Sequence, residues 1–339
     1  MVLSRRPALR RPSVSLALIL AVATVWIVWG STFLGIRVMV ETIPALLGSG
    51  ARFLVGGSLL AAFVVWQHGR GAFQVTAEEW RGSAAMGLLL VAGGVGMVAL
   101  GEERGLPSSL AALLASSEAA MVLGLRVAAG RERISAATAV GVGVGVVGVV
   151  LLLMPGSRPE GTPMTAVLLG LGGAVTWAVG TYTGSRIRTA PNLLANVAIQ
   201  MLVGGIILLL VGLIVGEHVA AGAVSSRSFV ALIALTAASV AVYAAYAWLL
   251  RNASLSLVTT QSYVNPVVAV ILGVFVLGET VGVLTGVGMV ITLLAVVLVL
   301  RAERQGTPPE GLPTVGEDSP TMEFPAPRTA GPAGPARTA

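Results

Sequence analysis

Residues 114–141 read LASSEAAMVLGLRVAAGRERISAATAVG, and residues 261–288 read QSYVNPVVAVILGVFVLGETVGVLTGVG. Laid over one another at an offset of 147 residues, they put Glu132 on Glu279, Ile134 on Val281 and Gly141 on Gly288. Glu118 falls on Asn265, each fourteen residues ahead of its glutamate. The match extends outward at a slightly different offset. Gly35–Ile36–Arg37 answers Gly184–Ser185–Arg186, and a tryptophan precedes each arginine, by eight residues (Trp29) and by nine (Trp177). The chain is therefore expected to be two copies of one unit.

Composition says where those copies sit. The 339 residues are 55% hydrophobic and 11% charged, with mean hydropathy +0.90. Soluble domains carry roughly 25% charged residues, so an ordinary cytoplasmic enzyme and a disordered chain are both excluded. With no cysteine, disulfides, thiolate chemistry and cysteine-held zinc or iron–sulfur centres are excluded as well. The net charge is +6, but there is no lysine and the 21 arginines are spread singly. A membrane protein with basic inner loops accounts for this charge better than a nucleic-acid partner does.

A helix crosses a ~30 Å hydrocarbon core with about 20 apolar residues. Ten such stretches are expected: 14–39, 44–66, 82–100, 106–127 and 134–154, then 164–184, 193–215, 229–250, 254–277 and 281–300. Breaks fall at Glu41 to Pro44, His68 to Arg81, Glu102 to Pro107, Arg131 to Arg133 and Pro155 to Pro163. Residues 1–13 form a basic N-terminus, 155–163 an outer linker, and 301–339 a Pro/Gly-rich tail expected to be disordered. Ala21–Val22–Ala23 imitates a signal-peptidase site, but the apolar run continues past Phe33, so an uncleaved first span is expected.

Arginine placement orients the chain. If the N-terminus is inside, the inner segments hold 14 arginines, at 5, 6, 10, 11, 70, 81, 126, 131, 133, 186, 188, 251, 301 and 304. The outer loops hold 3, at Arg104, Arg158 and Arg227. Both termini are expected on the cytoplasmic side. Five spans per copy is an odd number, so the second copy is inverted relative to the first. That arrangement characterises secondary transporters, with the substrate at the repeat interface near mid-membrane.

Trp29–Gly30–Ser31–Thr32–Phe33, Arg52–Phe53 and Glu132 resemble the drug/metabolite transporter superfamily. Tyr263–Val264–Asn265–Pro266–Val267–Val268 with Leu277–Gly278–Glu279 is similar to its EamA-type domain. The resemblance covers residues 14–154 and 164–300 as two tandem domains. It implies an all-α, ten-helix inner-membrane carrier whose relatives export amino acids or metabolites. One departure matters: Ala119 stands where the family often has proline after the acidic residue of the fourth span. A helix break is therefore not expected at Glu118, whereas Pro266 is expected to supply one in the ninth span.

Charged side chains within spans are few. Glu118 lies about twelve residues into its helix, ~18 Å deep, where an ionised side chain costs at least ~2.5–3.5 kcal/mol. Two compatible readings follow: a proton-coupling or substrate-amine site, and an ion pair with Arg52, at ~12 Å from the same side. Arg52 has the further reading of a bidentate clamp on a substrate carboxylate. Arg37, near a helix end, is expected to snorkel. Glu132 and Glu279 are each expected to open a helix and stabilise its positive end.

The polar and aromatic set able to line a pocket is Trp29, Ser31, Trp177, Tyr182, Gln200, Tyr243, Tyr246, Gln261, Tyr263 and Asn265. Asn265–Pro266 stands out, because proline frees carbonyls that can face substrate with the Asn amide. Trp66, Trp248 and Trp26 read as interfacial belt residues. Gly141-x-x-x-Gly145 and Gly282-x-x-x-Gly286 allow close helix approach, within a monomer or across a homodimer.

The spans contain no aspartate and no histidine, so the membrane-embedded proteases lack their parts. Phosphate-cradling Gly–Lys loops are impossible without lysine. The expected function is therefore export of a small amphipathic metabolite by alternating access, with protons as the candidate coupling partner and no cofactor or metal. An uncoupled facilitator and a lipid-linked-sugar flippase are the alternatives within the superfamily.

Overall fold

The computed structural model describes residues 16–130, 161–220, 222–253 and 261–280, with scattered positions between 140 and 147 and between 282 and 297. Among them every regular element is a helix. Seven helices are long and apolar enough to cross a membrane: α1 (Leu16–Met39), α2 (Ala45–His68), α3 (Ala77–Glu103), α4 (Ser108–Ala128), α5 (Met164–Gly184), α6 (Leu193–Ile214) and α7 (Ser226–Asn252). The shorter α8 covers Gln261–Leu277. The ends 1–13 and 301–339, Glu132, Gly141 and Gly145 lie outside the described residues. The expected spans 134–154 and 281–300 are described at scattered positions only, and the linker only from Gly161.

Three expectations need correction. First, α3 runs on to Glu103, so Glu102 sits in a helix and is fully buried instead of opening a loop. Second, Pro266 does not break α8, which is helical on both sides of it. The carbonyl deprived of a donor is that of Ser262, four residues earlier, and the helix runs on to Leu277. Third, α4 is interrupted without a proline: its halves are Ser108–Ser116 and Glu118–Ala128. The Ser116 and Ser117 hydroxyls donate to the carbonyls of Leu113 and Leu114 at 2.7 and 2.5 Å, a back-bonding that bends helices. Glu118 thereby becomes the first residue of a half-helix.

Glycine sets the helix spacing. α2 and α6 touch at Gly50 and Gly205, where a Cβ on Gly205 would stand 2.8 Å from the Leu54 nitrogen and 3.0 Å from the Gly50 carbonyl. α1 meets α8 in the same way, with Gly30 against Val268 and the Asn265 carbonyl. Without a hydrophobic force between helices in lipid, such backbone proximity supplies much of the association.

α1, α3, α6 and α8 finish, and α2, α4 and α7 begin, at one end of the bundle. There α2 and α4 follow Pro44 and Pro107, which offer no side-chain cap. Carboxylates from other helices take that role. Glu103 accepts from the Ala45 N–H at 2.9 Å, and Glu217 from the Leu46 and Leu47 N–H groups at 3.1 and 2.9 Å. Glu279 accepts from the Ser108 N–H and hydroxyl at 2.7 and 2.9 Å, and from those of Ser109 at 3.1 and 2.6 Å. Glu279 thus stabilises a positive helix end, but that of α4 and not of a helix it opens itself.

Glu217 and Glu279 are delivered by one device. Each follows a glycine of positive φ, Gly216 (85°) and Gly278 (65°), that ends a helix. Each then folds back over an earlier glycine: a Cβ on Gly212 would lie 3.1 Å from Glu217 Oε2, and one on Gly273 2.5 Å from Glu279 Oε2.

Glu279→Ala strands four donors and should lower the unfolding free energy by about 1–2 kcal/mol. Gly273→Ala should reproduce part of that loss by displacing the carboxylate. Gly71→Ala, with nothing within 4 Å, should change nothing. Thermal unfolding of the purified chain in detergent separates the three.

Candidate functional site

The site is built around Trp29, which follows a π-helical stretch of α1, Thr24–Val28. Its ring meets Trp177 of α5 edge-on, with centroids 6.0 Å apart at 63°. On α7 it meets Tyr243 at 5.9 Å and Tyr246 at 5.6 Å, the latter at 86°. Tyr243 and Tyr246 are three residues apart and so share a helix face. Edge-to-face contacts of this kind suit the ring quadrupoles. All four rings are only partly buried, so the cluster keeps accessible aromatic surface.

A carboxylate flanks the cluster on one side. Glu118, at the start of the second half of α4, accepts a hydrogen bond from the Thr181 hydroxyl at 2.8 Å. Trp177, one turn before Thr181 on α5, is its second polar neighbour, and Glu118 in turn is a charged neighbour of Tyr246. The interruption at Ser117 gives Glu118 its place, because a carboxylate in a first helical turn complements the positive helix end.

A guanidinium flanks the cluster on the other side. Arg52 of α2 is 3% exposed and holds its central carbon 4.5 Å from the Phe53 ring centroid. Its Nε and Nη1 have no hydrogen-bond partner. Tyr243 and Glu102 are titratable neighbours of it. The expected Arg52–Glu118 ion pair is therefore absent: Arg52 neighbours Tyr243, while Glu118 neighbours Trp177 and Tyr246, other members of the cluster. A buried cation costs at least ~2.5–3.5 kcal/mol in a membrane, and two of the Arg52 nitrogens have no acceptor, so an arriving carboxylate gains from donors already desolvated.

The other expected site residues divide. With its nitrogen turned toward α1, the Asn265 amide donates to the carbonyls of Val25 and Trp26 at 3.1 and 3.0 Å. Both carbonyls belong to the π-helical stretch. In that orientation Asn265 fastens α8 to α1 through its amide nitrogen. Gln261 of α8 has its side-chain oxygen buried and unpartnered. The side chain of Tyr263 lies outside the described residues. Ser31 bonds back to the Val28 carbonyl at 2.8 Å, and Gln200 is buried at a close approach of α6 to Gly87. Tyr182 stacks under Arg186 at 3.6 Å.

Arg37 does not snorkel: its Nη1 donates to the Glu102 carbonyl at 2.5 Å, a cation on the last turn of α3. Both carboxylate oxygens of Glu102 are buried without a hydrogen-bond partner, with Arg37, Glu279 and Arg52 as charged neighbours. Sequence reasoning passed over Glu102, Thr181 and Glu217. For Glu217 a signal existed, since Gly216–Glu217 repeats Gly278–Glu279 after an apolar run. Thr181 carries no such mark among many intramembrane hydroxyls.

A bundle of membrane-crossing helices with opposite charges around an aromatic cluster has the construction of a carrier. The chain belongs to the EamA-like transporter family, whose model matches residues 16–154 and 164–301. It is 36% identical over 280 residues to "Uncharacterized inner membrane transporter YedA" of Escherichia coli (strain K12), covering 82% of this chain and 89% of that protein. A "Probable amino-acid metabolite efflux pump" of Salmonella typhimurium is 26% identical over 161 residues, 48% of this chain and 51% of that one. One solved crystal structure shares the fold, with TM-score 0.60 at 18% identity over 86% of this chain and 100% of its own.

Asn265→Ala should cost about 1–2 kcal/mol of stability, as lost amide bonds to buried carbonyls do. It should leave the substrate KM within about twofold of wild type. Unfolding and uptake assays on the same preparation check both halves.

Proposed function

We propose that the chain is an inner-membrane exporter of small zwitterionic metabolites, amino acids or close relatives, working by alternating access. The observation that carries this reading is the order of groups across the site. The Glu118 carboxylate, the Trp177–Trp29–Tyr246–Tyr243 cluster and the Arg52 guanidinium, two of whose nitrogens lack an acceptor, follow one another through their contacts. A substrate amine matches the first, an apolar side chain the second and a carboxylate the third. The name of the Salmonella relative points the same way.

In this reading ten spans form two inverted repeats, residues 14–154 and 164–300, with both termini in the cytoplasm. The repeats rock about the central site. The end bearing Glu103, Glu217 and Glu279 is the extracytoplasmic one, and it is shut: each carboxylate joins separate helices by charge-assisted bonds. Opening that end exchanges those bonds for water. Glu118 serves as the coupling group, taking a proton when the substrate amine leaves.

The test is efflux of labelled amino acids from proteoliposomes under an imposed pH gradient. Wild-type efflux should follow the gradient, and folded Glu118→Gln should lose that dependence. Arg52→Gln should raise KM about ten- to hundredfold, the worth of a charge-assisted bond of 1.5–3 kcal/mol. Gradient-independent wild-type efflux overturns the coupling. No efflux of any amino acid by folded protein overturns the substrate class.

A further inference from the structure

The end of the bundle opposite the carboxylate caps carries a second cluster of charge, which the transport site does not use. Between the start of α3 and the link from α5 to α6 lies a cavity of about 450 Å³. Arg81, Arg186 and Arg188 stand around it, with Glu78 as the one acid, and Ala85 and Ile187 form apolar wall. Three guanidinium groups against one carboxylate leave a surplus of two positive charges. Glu78 neutralises little: its contact with Arg188 spans 3.8 Å, and the two side chains are 69% and 78% exposed. Arg186 rests on the Tyr182 ring at 3.6 Å, and Arg81 faces no carboxylate among the described residues.

The walls of the cavity are fixed by contacts of their own. The Ala190 N–H donates to the buried Ser83 hydroxyl at 3.0 Å. Gly82 lies directly against the Arg188 carbonyl, leaving no room for a Cβ. The 186–190 segment is thus bound to α3 by backbone contacts, and the three guanidinium groups have a common frame. The depth is also marked. Trp80, beside Arg81, is 51% exposed, and Trp66 at the same end is 81% exposed. Exposed tryptophans of spanning helices settle at the headgroup level.

We infer that this cavity binds the phosphate of an anionic phospholipid, with the arginines on the headgroup and Ala85 and Ile187 along the glycerol. Three features favour a lipid over free phosphate: an apolar wall, a volume well beyond a bare anion, and a level beside the tryptophan belt. Basic pockets between membrane helices take lipid headgroups for the same reasons. The inference is independent of the transport reading, since it needs only the bilayer.

Native mass spectrometry of the full chain released from phosphatidylcholine vesicles, with and without phosphatidylglycerol, tests it. Phosphatidylglycerol should be retained over phosphatidylcholine, and inorganic phosphate should not displace it. Arg81→Gln and Arg186→Gln should each cut retention about fivefold, near the worth of one basic residue at the surface. Arg70→Gln, outside the cavity at the same end, should leave retention unchanged. Glu78→Gln should strengthen it, a gain that misfolding does not produce. Equal losses in Arg70→Gln and Arg81→Gln overturn the site in favour of general surface charge. Displacement by inorganic phosphate overturns the lipid as ligand, and undiminished retention in both pocket variants overturns the inference altogether.

Discussion

A helix that starts inside a membrane protein exposes backbone N–H groups that water does not reach, and each must find an acceptor. Here α2 and α4 begin after prolines that cannot cap them. Glu103, Glu217 and Glu279 supply the acceptors from the ends of three other helices. Local satisfaction of two helix ends therefore becomes long-range attachment. The acceptor of α4 is 171 residues away in the chain. The depth at which Arg52 and Glu118 stand follows from where those two helices are held.

Much of this architecture is legible in the sequence. Seven expected spans coincide with described helices to within a few residues, because length and hydropathy alone decide them. The exceptions share a cause. Glu102–Glu103 reads as a loop because paired acids are costly in a membrane, yet Arg37 and the start of α2 meet them there. The interruption of α4 is missed because two serines produce it where a proline is expected. Conversely, Pro266 removes one ladder bond without ending α8, which composition does not weigh.

The site is legible by residue type but not by pairing. Trp29, Trp177, Tyr246, Glu118 and Arg52 stand out as costly or unusual groups within apolar stretches. Their order is a property of helix rotation, which periodicity resolves poorly in spans apolar on every face. The direct Arg52–Glu118 pair was reasonable from depth alone, and the intervening aromatic rings are what depth does not show. Asn265 illustrates the same gap: a polar residue aligned with Glu118 in the repeat turns out to fasten one helix to another.

The π-helical stretch Thr24–Val28 has a consequence for how this chain tolerates change in length. Such a stretch is a helix that has absorbed an extra residue. Removing one residue there restores an ordinary turn and leaves the helix on either side close to its present phase, whereas removing one from an ordinary turn rotates the two sides by about 100° relative to one another. Trp29 stands directly after the stretch. A deletion within the stretch therefore keeps Trp29 toward Trp177 and the tyrosines, while a deletion in the preceding turns, Leu16–Ala23, swings the residues before it off the face that packs on Leu249. The wide turn is a margin of length that the rest of the first helix lacks.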